Sequence, residues 1–201
     1  MTREYAPLTD YPFKTGTTFL RPTQVLPERV TLDDPAVSVM TDLKSVSVVN
    51  VRAMTSMDKA NAKMISYGVR LLLVLDDADK VVGLLTATDI LGEKPMRFLQ
   101  NVGGTHADIT VRDIMTPQHE LEVLKLQDVL GAKVGHVVAT LKQCGRQHAL
   151  AVEENADGSQ VVRGLFSATQ VARQLGVQIQ TTEVACTFAE IEAVIGGSRF
   201  S

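Results

Sequence analysis

The chain has 201 residues, 45% of them hydrophobic and 21% charged, a composition that buries a core and excludes an intrinsically disordered chain. A net charge of −3, 4% aromatic residues and no Trp argue against nucleic acid or an anionic membrane surface as the main partner. The longest apolar runs, such as Leu71–Leu75, are far too short to cross a bilayer, and the first ten residues lack the apolar core of a signal peptide.

Five of the seven prolines fall within the first 35 residues, and proline holds itself and its predecessor in extended or turn shapes. Residues 1–36 therefore read as an irregular arm with a short strand near Gln24–Leu26, wrapping the module or a neighbouring subunit. A first repeat spans residues 37–92. Val46–Val51 is β-branched and reads as a buried strand. Thr55-Ser-Met-Asp58 has the form of a capping box, followed at helical spacing by Met57, Ala60, Met64 and Tyr67 and closed by Gly68. Arg70–Leu75 and Val81–Leu85 form a hairpin around Asp76–Lys80, and a helix begins near Ala87. Met54, Met57 and Met64 read as core filling, and Asp76, Asp77 and Asp79 as a solvated turn without the twelve-residue calcium-loop pattern.

Residues 93–110 connect, with Pro95 opening a short helix that Gly103 and Gly104 end. A second repeat spans residues 111–176, where Val111–Thr116 echoes Val37–Thr41. It predicts a strand at Leu121–Leu126 and a helix with Val134, Val137, Val138 and Leu141 inward. A hairpin follows, His148–Val152 with Val161–Phe166, turning at Asn155–Gly158. Residues 177–201 form a tail with a strand at Thr181–Ala185. A capping box at Thr187–Glu190 opens a helix with Phe188, Ile191 and Ile195 inward. Cys144 and Cys186 lack CxxC spacing and read as small core residues in a reduced, cytoplasmic compartment.

The duplication is carried by one motif. Gly83-Leu-Leu-Thr86-Ala-Thr-Asp89 is nearly repeated, 81 residues on, by Gly164-Leu-Phe-Ser167-Ala-Thr-Gln170. Fixed-offset similarity marks one supersecondary unit used twice. The predicted fold is α+β, two β-α-β-β-α units stacked with pseudo-two-fold symmetry so that each covers apolar surface the other exposes. Ser–His–Asp arrangements, a P-loop, GxGxxG and metal-ligand spacing at His106, His119 or His136 are missing, which predicts a protein that is not an enzyme and holds no metal.

The order β-α-β-β-α, the lead-in Met-Thr, the stretch GVRLLLVLD and the motif GLLTATD resemble a CBS (cystathionine beta-synthase-type) domain. Two copies over residues 37–176 resemble the CBS pair, or Bateman module. The second copy departs further, with GRQHALAVE and GLFSATQ, and both lack the family's frequent Pro, Leu73 and Leu150 standing there. The resemblance implies a cytoplasmic regulatory sensor, a homodimer that binds an adenosine-containing ligand (AMP, ADP, ATP or S-adenosylmethionine) between the repeats and acts on a protein partner the sequence does not identify. It implies no required cofactor.

In that frame Thr86 donates to a phosphate or ribose oxygen beside a helix start, and Asp89 accepts from the ribose hydroxyls. Arg70 supplies the cation for phosphate, and the adenine lies near Val51, Arg52 and Ala53. Thr88 completes the set. Arg146, His148, Ser167 and Gln170 form a weaker second site. Two alternatives stand beside this. Thr86-x-x-Asp89 and Ser167-x-x-Gln170 are also capping boxes that need no ligand, and the degenerate second motif suits a ligand-free interaction scaffold.

Overall fold

The computed structural model describes Lys14 and residues 23–177. In chain order the elements are β1 Thr41–Asp42, β2 Asn50–Arg52, α1 Met57–Tyr67, β3 Leu71–Leu75, β4 Val81–Thr86, α2 Ala87–Leu91 and α3 Lys94–Val102. Then follow α4 Val111–Ile114, β5 Thr116–Pro117, β6 Val123–Lys125, α5 Leu126–Gly131, α6 Val134–Gln143, β7 His148–Glu154, β8 Gln160–Ser167 and α7 Ala168–Gln174.

Two four-stranded sheets result, in the orders β2-β3-β4-β5 and β1-β8-β7-β6. Each has a parallel pair (β2 with β3, β6 with β7) and an antiparallel hairpin (β3 with β4, β7 with β8). The α+β class and the duplicated layout are as the sequence predicts. The lead-in strands are exchanged, however. Thr116 and Pro117, which open the second repeat, pair with Leu84 and Gly83 of the first sheet. Thr41 and Asp42, which open the first, pair with Leu165 and Gly164 of the second. Each sheet is thus completed by a strand that precedes the other repeat.

Glycine permits this crossing. A Cβ on Gly83 would lie 2.7 Å from Met115 Sδ and 2.8 Å from the Thr116 carbonyl oxygen, and one on Gly164 would lie 2.7 Å from Met40 Cγ. Arg163 fastens the second crossing by pairing with Asp42. Burial by itself would raise the Asp42 carboxyl, but the Lys44 amide and the Arg163 guanidinium hold it below the usual carboxylate range.

β3 shows why the layers form. Its five apolar residues are buried on both faces. Leu72 and Val74 join Met57, Ala60 and Met64 of α1 and Ile90 of α2 under the helices of the first repeat. Leu71 and Leu73 turn the other way, to a seam shared with Leu84 and with Leu150 of the second sheet. The second repeat has its own helix-side core, with Phe166, Val134, Val138 and Leu141.

From residue 23 the arm lies on the second repeat of its own chain. Gln24 forms no strand. Instead its side-chain amide donates to the Met40 carbonyl at 2.9 Å and accepts from the Asp42 amide at 2.7 Å, completing the sheet edge in place of a backbone. The Val30 amide donates to the Gln174 carbonyl at 2.9 Å. Buried Gln174 donates back to the carbonyls of Pro27 and Ser38.

Other expectations are corrected. Of the Val46–Val51 strand only Asn50 and Val51 form, with Arg52 added, as β2; Leu121–Leu126 contracts to β6, its last residue starting the unforeseen α5. The Thr55–Asp58 box does not form: Ser56 is the N-cap and makes no side-chain hydrogen bond. The connector replaces it, Met57 donating to the Ile109 carbonyl and Val111 to that of Thr55. Met57, Ala60 and Met64 exhaust the contact of α1 with the sheet, so Tyr67 in its last turn is exposed, as are Met54 and Cys144. The predicted elements at Thr181–Ala185 and Thr187–Glu190, and Cys186, lie outside the described residues.

Candidate functional site

Between the repeats opens a cavity of about 280 Å³. Leu84, Leu121 and Leu150 give it apolar walls. Thr86, Thr88 and Asp89 reach it from the first repeat, and Thr116, Glu120, Glu122, Arg146 and His148 from the second. Leu84 and Leu150 also belong to the seam, so the cavity is an opening left where the two sheets stop touching.

Thr86 ends β4 and caps α2, whose five residues make little more than one turn. Both halves of the capping box are formed. The Thr86 amide and hydroxyl each donate to Asp89 Oδ2 at 2.7 Å, and the Asp89 amide donates back to the hydroxyl at 3.3 Å. The Ala87 amide donates to the Arg70 carbonyl. The Thr86 hydroxyl and the amides of Thr86, Ala87 and Asp89 are therefore engaged within the chain, and the start itself offers little to a phosphate.

Asp89 is buried, and its second oxygen is also taken: Lys94 Nζ stands 2.7 Å from Oδ1. Lys94 further donates to the Ile114 carbonyl at 3.0 Å and reaches Thr116 Oγ1 at 3.4 Å. Across the cavity, Arg146 pairs with Glu122 at 3.1 Å.

His148 Nδ1 is buried and has no hydrogen-bond partner. Burial, reinforced by the charge of nearby Arg70 and opposed by Asp89, pushes its pKa down to about 4. The imidazole is neutral at pH 7. A site that rejects the proton in the fold binds it more readily when unfolded, so its contribution is complete above about pH 6.5 and lost as the pH falls towards 4. Wild type is therefore expected to lose stability across that window at up to about 1.4 kcal/mol per pH unit. H148L should flatten the curve of melting temperature against pH there. Parallel curves for the two proteins would refute the assignment.

The structure regroups the predicted residues. Arg146 and His148, assigned to a second site, line the same cavity as Thr86, Thr88 and Asp89, and Arg70 is near enough to act on His148. Val51 is buried in the helix-side core with Ala53 packed against it, and Arg52 turns to the hairpin, holding Asp79 at 2.7 Å and the Asp76 carbonyl. None of these three lines the cavity. The reason is register: β2 pairs with β3 at the sheet edge, and alternation sends Val51 towards α1. Ser167 caps α7 without a side-chain bond, and Gln170 donates to Gln174 at 3.4 Å. Neither lines the cavity. Glu120, Glu122, Thr116 and Lys94 escaped sequence reading, although Lys94 sits only five residues beyond Asp89, opening a helix. A second opening of about 380 Å³, lined by Leu43, Lys44, Leu75, Asp79 and Val161 among others, contains no predicted contact.

Among the described residues no group of three or more His, Cys, Asp or Glu is placed to hold a metal ion. No helix among them is long and apolar enough to cross a membrane.

Comparison with known proteins matches this architecture. Residues 37–95 match the CBS domain family model. A conserved protein of uncharacterised function from Pyrococcus horikoshii shares the fold, at TM-score 0.53 and 22% identity over 76% of this chain and 100% of its own. CBSX2 from Arabidopsis thaliana, solved in complex with AMP, aligns at TM-score 0.49 and 24% identity over 70% of this chain and 94% of its own. The CBS domain pair of protein MJ0100, solved with 5′-methylthioadenosine and S-adenosyl-L-methionine, aligns at TM-score 0.47 and 17% identity over 69% and 96%. No curated protein matches. The fold and cleft define a paired-repeat α+β module. With residues 37–95 matching the CBS domain and a second unit of the same element order behind them, the chain has the fold of a tandem CBS pair.

Proposed function

We propose that this protein is a regulatory binding module that takes a small adenosine-containing ligand in the cavity between its repeats. The observation that carries the reading is the cavity's make-up. Apolar walls from Leu84, Leu121 and Leu150 suit a flat base. Around them converge polar groups of both repeats, including an orphaned acceptor or donor at His148 Nδ1. A buried polar atom without a partner costs free energy that a ligand hydrogen bond recovers. At about 280 Å³ the space lies at the lower end of ligand pockets. A base and sugar fill it, and any phosphate lies at its rim, between the Asp89 wall and Arg146.

Because the walls come from both repeats, a ligand that fits one mutual arrangement better than another shifts the balance between them by that difference in affinity. The regulated protein, a homodimeric assembly and a cytoplasmic setting belong to the same proposal. A ligand-free scaffold is the second reading. It is favoured by the saturation of Asp89, both of whose oxygens are already engaged.

Thermal unfolding separates the two. Adenosine, AMP, ADP, ATP and S-adenosylmethionine are added singly at millimolar concentration. A ligand at 100 times its Kd adds about 2.7 kcal/mol, a rise of roughly 5–10 °C for a chain of this size. If none of the five moves the melting temperature, the scaffold reading replaces the sensor.

A further inference from the structure

We infer that Lys94 is the residue that decides whether this cavity accepts a phosphorylated ligand, by holding the charge of Asp89 compensated. The inference rests on the proposed nucleoside site.

The wall on the first-repeat side carries one acid, Asp89. Its Oδ2 is occupied by the Thr86 amide and hydroxyl, and its Oδ1 by Lys94 at 2.7 Å. The hydrogen bonds from Thr86 are dipolar and leave the carboxylate a net negative charge. Among the described residues Lys94 is the cation in direct contact with it. The opposite wall offers no surplus to take over that role: Arg146 is paired with Glu122, and Glu120 adds a further acid. His148, neutral at pH 7, adds nothing.

Lys94 is also held in place. Its ammonium donates to the Ile114 carbonyl at the end of α4 and reaches the Thr116 hydroxyl on β5, so its three donors have three acceptors. The charge is thereby fixed behind Asp89. In a space of about 280 Å³ any phosphate of a bound nucleotide lies within several ångströms of that carboxylate, where like charges repel strongly unless neutralised. A neutral nucleoside meets no such repulsion. Lys94 is thus a positioning and specificity-determining residue that acts through Asp89.

Calorimetric titration of the full chain with adenosine and with AMP tests this. In K94M the affinity for AMP should fall at least about tenfold relative to that for adenosine. K94R, which keeps the charge, should preserve the wild-type ratio. D89N, which leaves Lys94 uncompensated, should shift the ratio towards AMP, and D89N/K94M should return it to wild type. The last two variants carry the test if K94M fails to fold. An unchanged AMP-to-adenosine ratio across the folded variants overturns the inference while leaving the site intact. Failure of both compounds to bind wild type overturns the site and the inference together.

Discussion

Replacing Gly83 by valine is expected to lower the free energy of unfolding by about 3 kcal/mol, the upper end of what overpacking costs. The first added carbon already lies 2.7 Å from Met115 Sδ and 2.8 Å from the carbonyl oxygen of Thr116. Methionine sulfur is soft and can swing aside. The carbonyl belongs to β5, and moving it breaks the pairing of Thr116 with Leu84 and of Pro117 with Gly83. At Gly164 the close atoms of the same kind belong to the Met40 side chain, so G164V should be the milder of the two. Chemical denaturation of both variants measures the difference. Equal and small losses, below about 1 kcal/mol, would show that the lead-in strands slide freely and that glycine is not required for their crossing.

Leu150→Ala should cost about 2–5 kcal/mol, the range for buried leucines whose surroundings cannot collapse. Leu150 is 4% exposed. It is the buried second-repeat residue in the seam with Leu71, Leu73 and Leu84, and it forms part of the cavity wall. Two effects follow from one truncation. The sheets lose contact with each other, and the cavity gains a methyl-lined recess, so ligand affinity changes together with stability. A far smaller effect is expected for Val161→Ala, since that side chain is 52% exposed. If L150A melts within 1–2 °C of wild type, the seam is not a principal source of cohesion between the repeats.

Much of the fold is legible from local chemistry. The run Leu71–Leu75 is bounded by Gly68, in the left-handed conformation at φ 62°, and by a polar turn. It therefore reads as a buried strand without knowledge of its neighbours. The helix at Val134–Gln143 follows directly from its apolar spacing, and all four predicted inward residues are buried. Other features depend on partners far along the chain, which spacing does not reveal. The start of α1 is capped by the Ile109 carbonyl, more than fifty residues away, so a local capping box was redundant. The exchange of β1 and β5 joins strands by pairing across repeats, and the only local trace is a glycine in each motif.

The candidate site is readable to the same degree. Thr86 and Asp89 stand out as a motif and do line the cavity. The sequence reading puts the adenine near Val51, Arg52 and Ala53, but side-chain alternation turns Val51 into the helix-side core and none of the three lines the cavity. Glu120 ends a single 3-10 turn, Gln118–Glu120, and Glu122 follows it before β6, in a stretch whose sequence carries no signal of its own. Lys94 was missed because an ion pair closes in space, and its position just past Gly92 gives no periodicity to read.

The traded lead-ins make the halves of this chain mutually dependent. A fragment ended before residue 111 would retain β1 without the β8 edge it belongs to, and β4 without the β5 that finishes it. The complementary fragment would be deficient in the mirror sense. Neither is expected to fold as a self-sufficient unit. The two expressed as separate polypeptides have reason to find each other, since each carries the missing border of its counterpart.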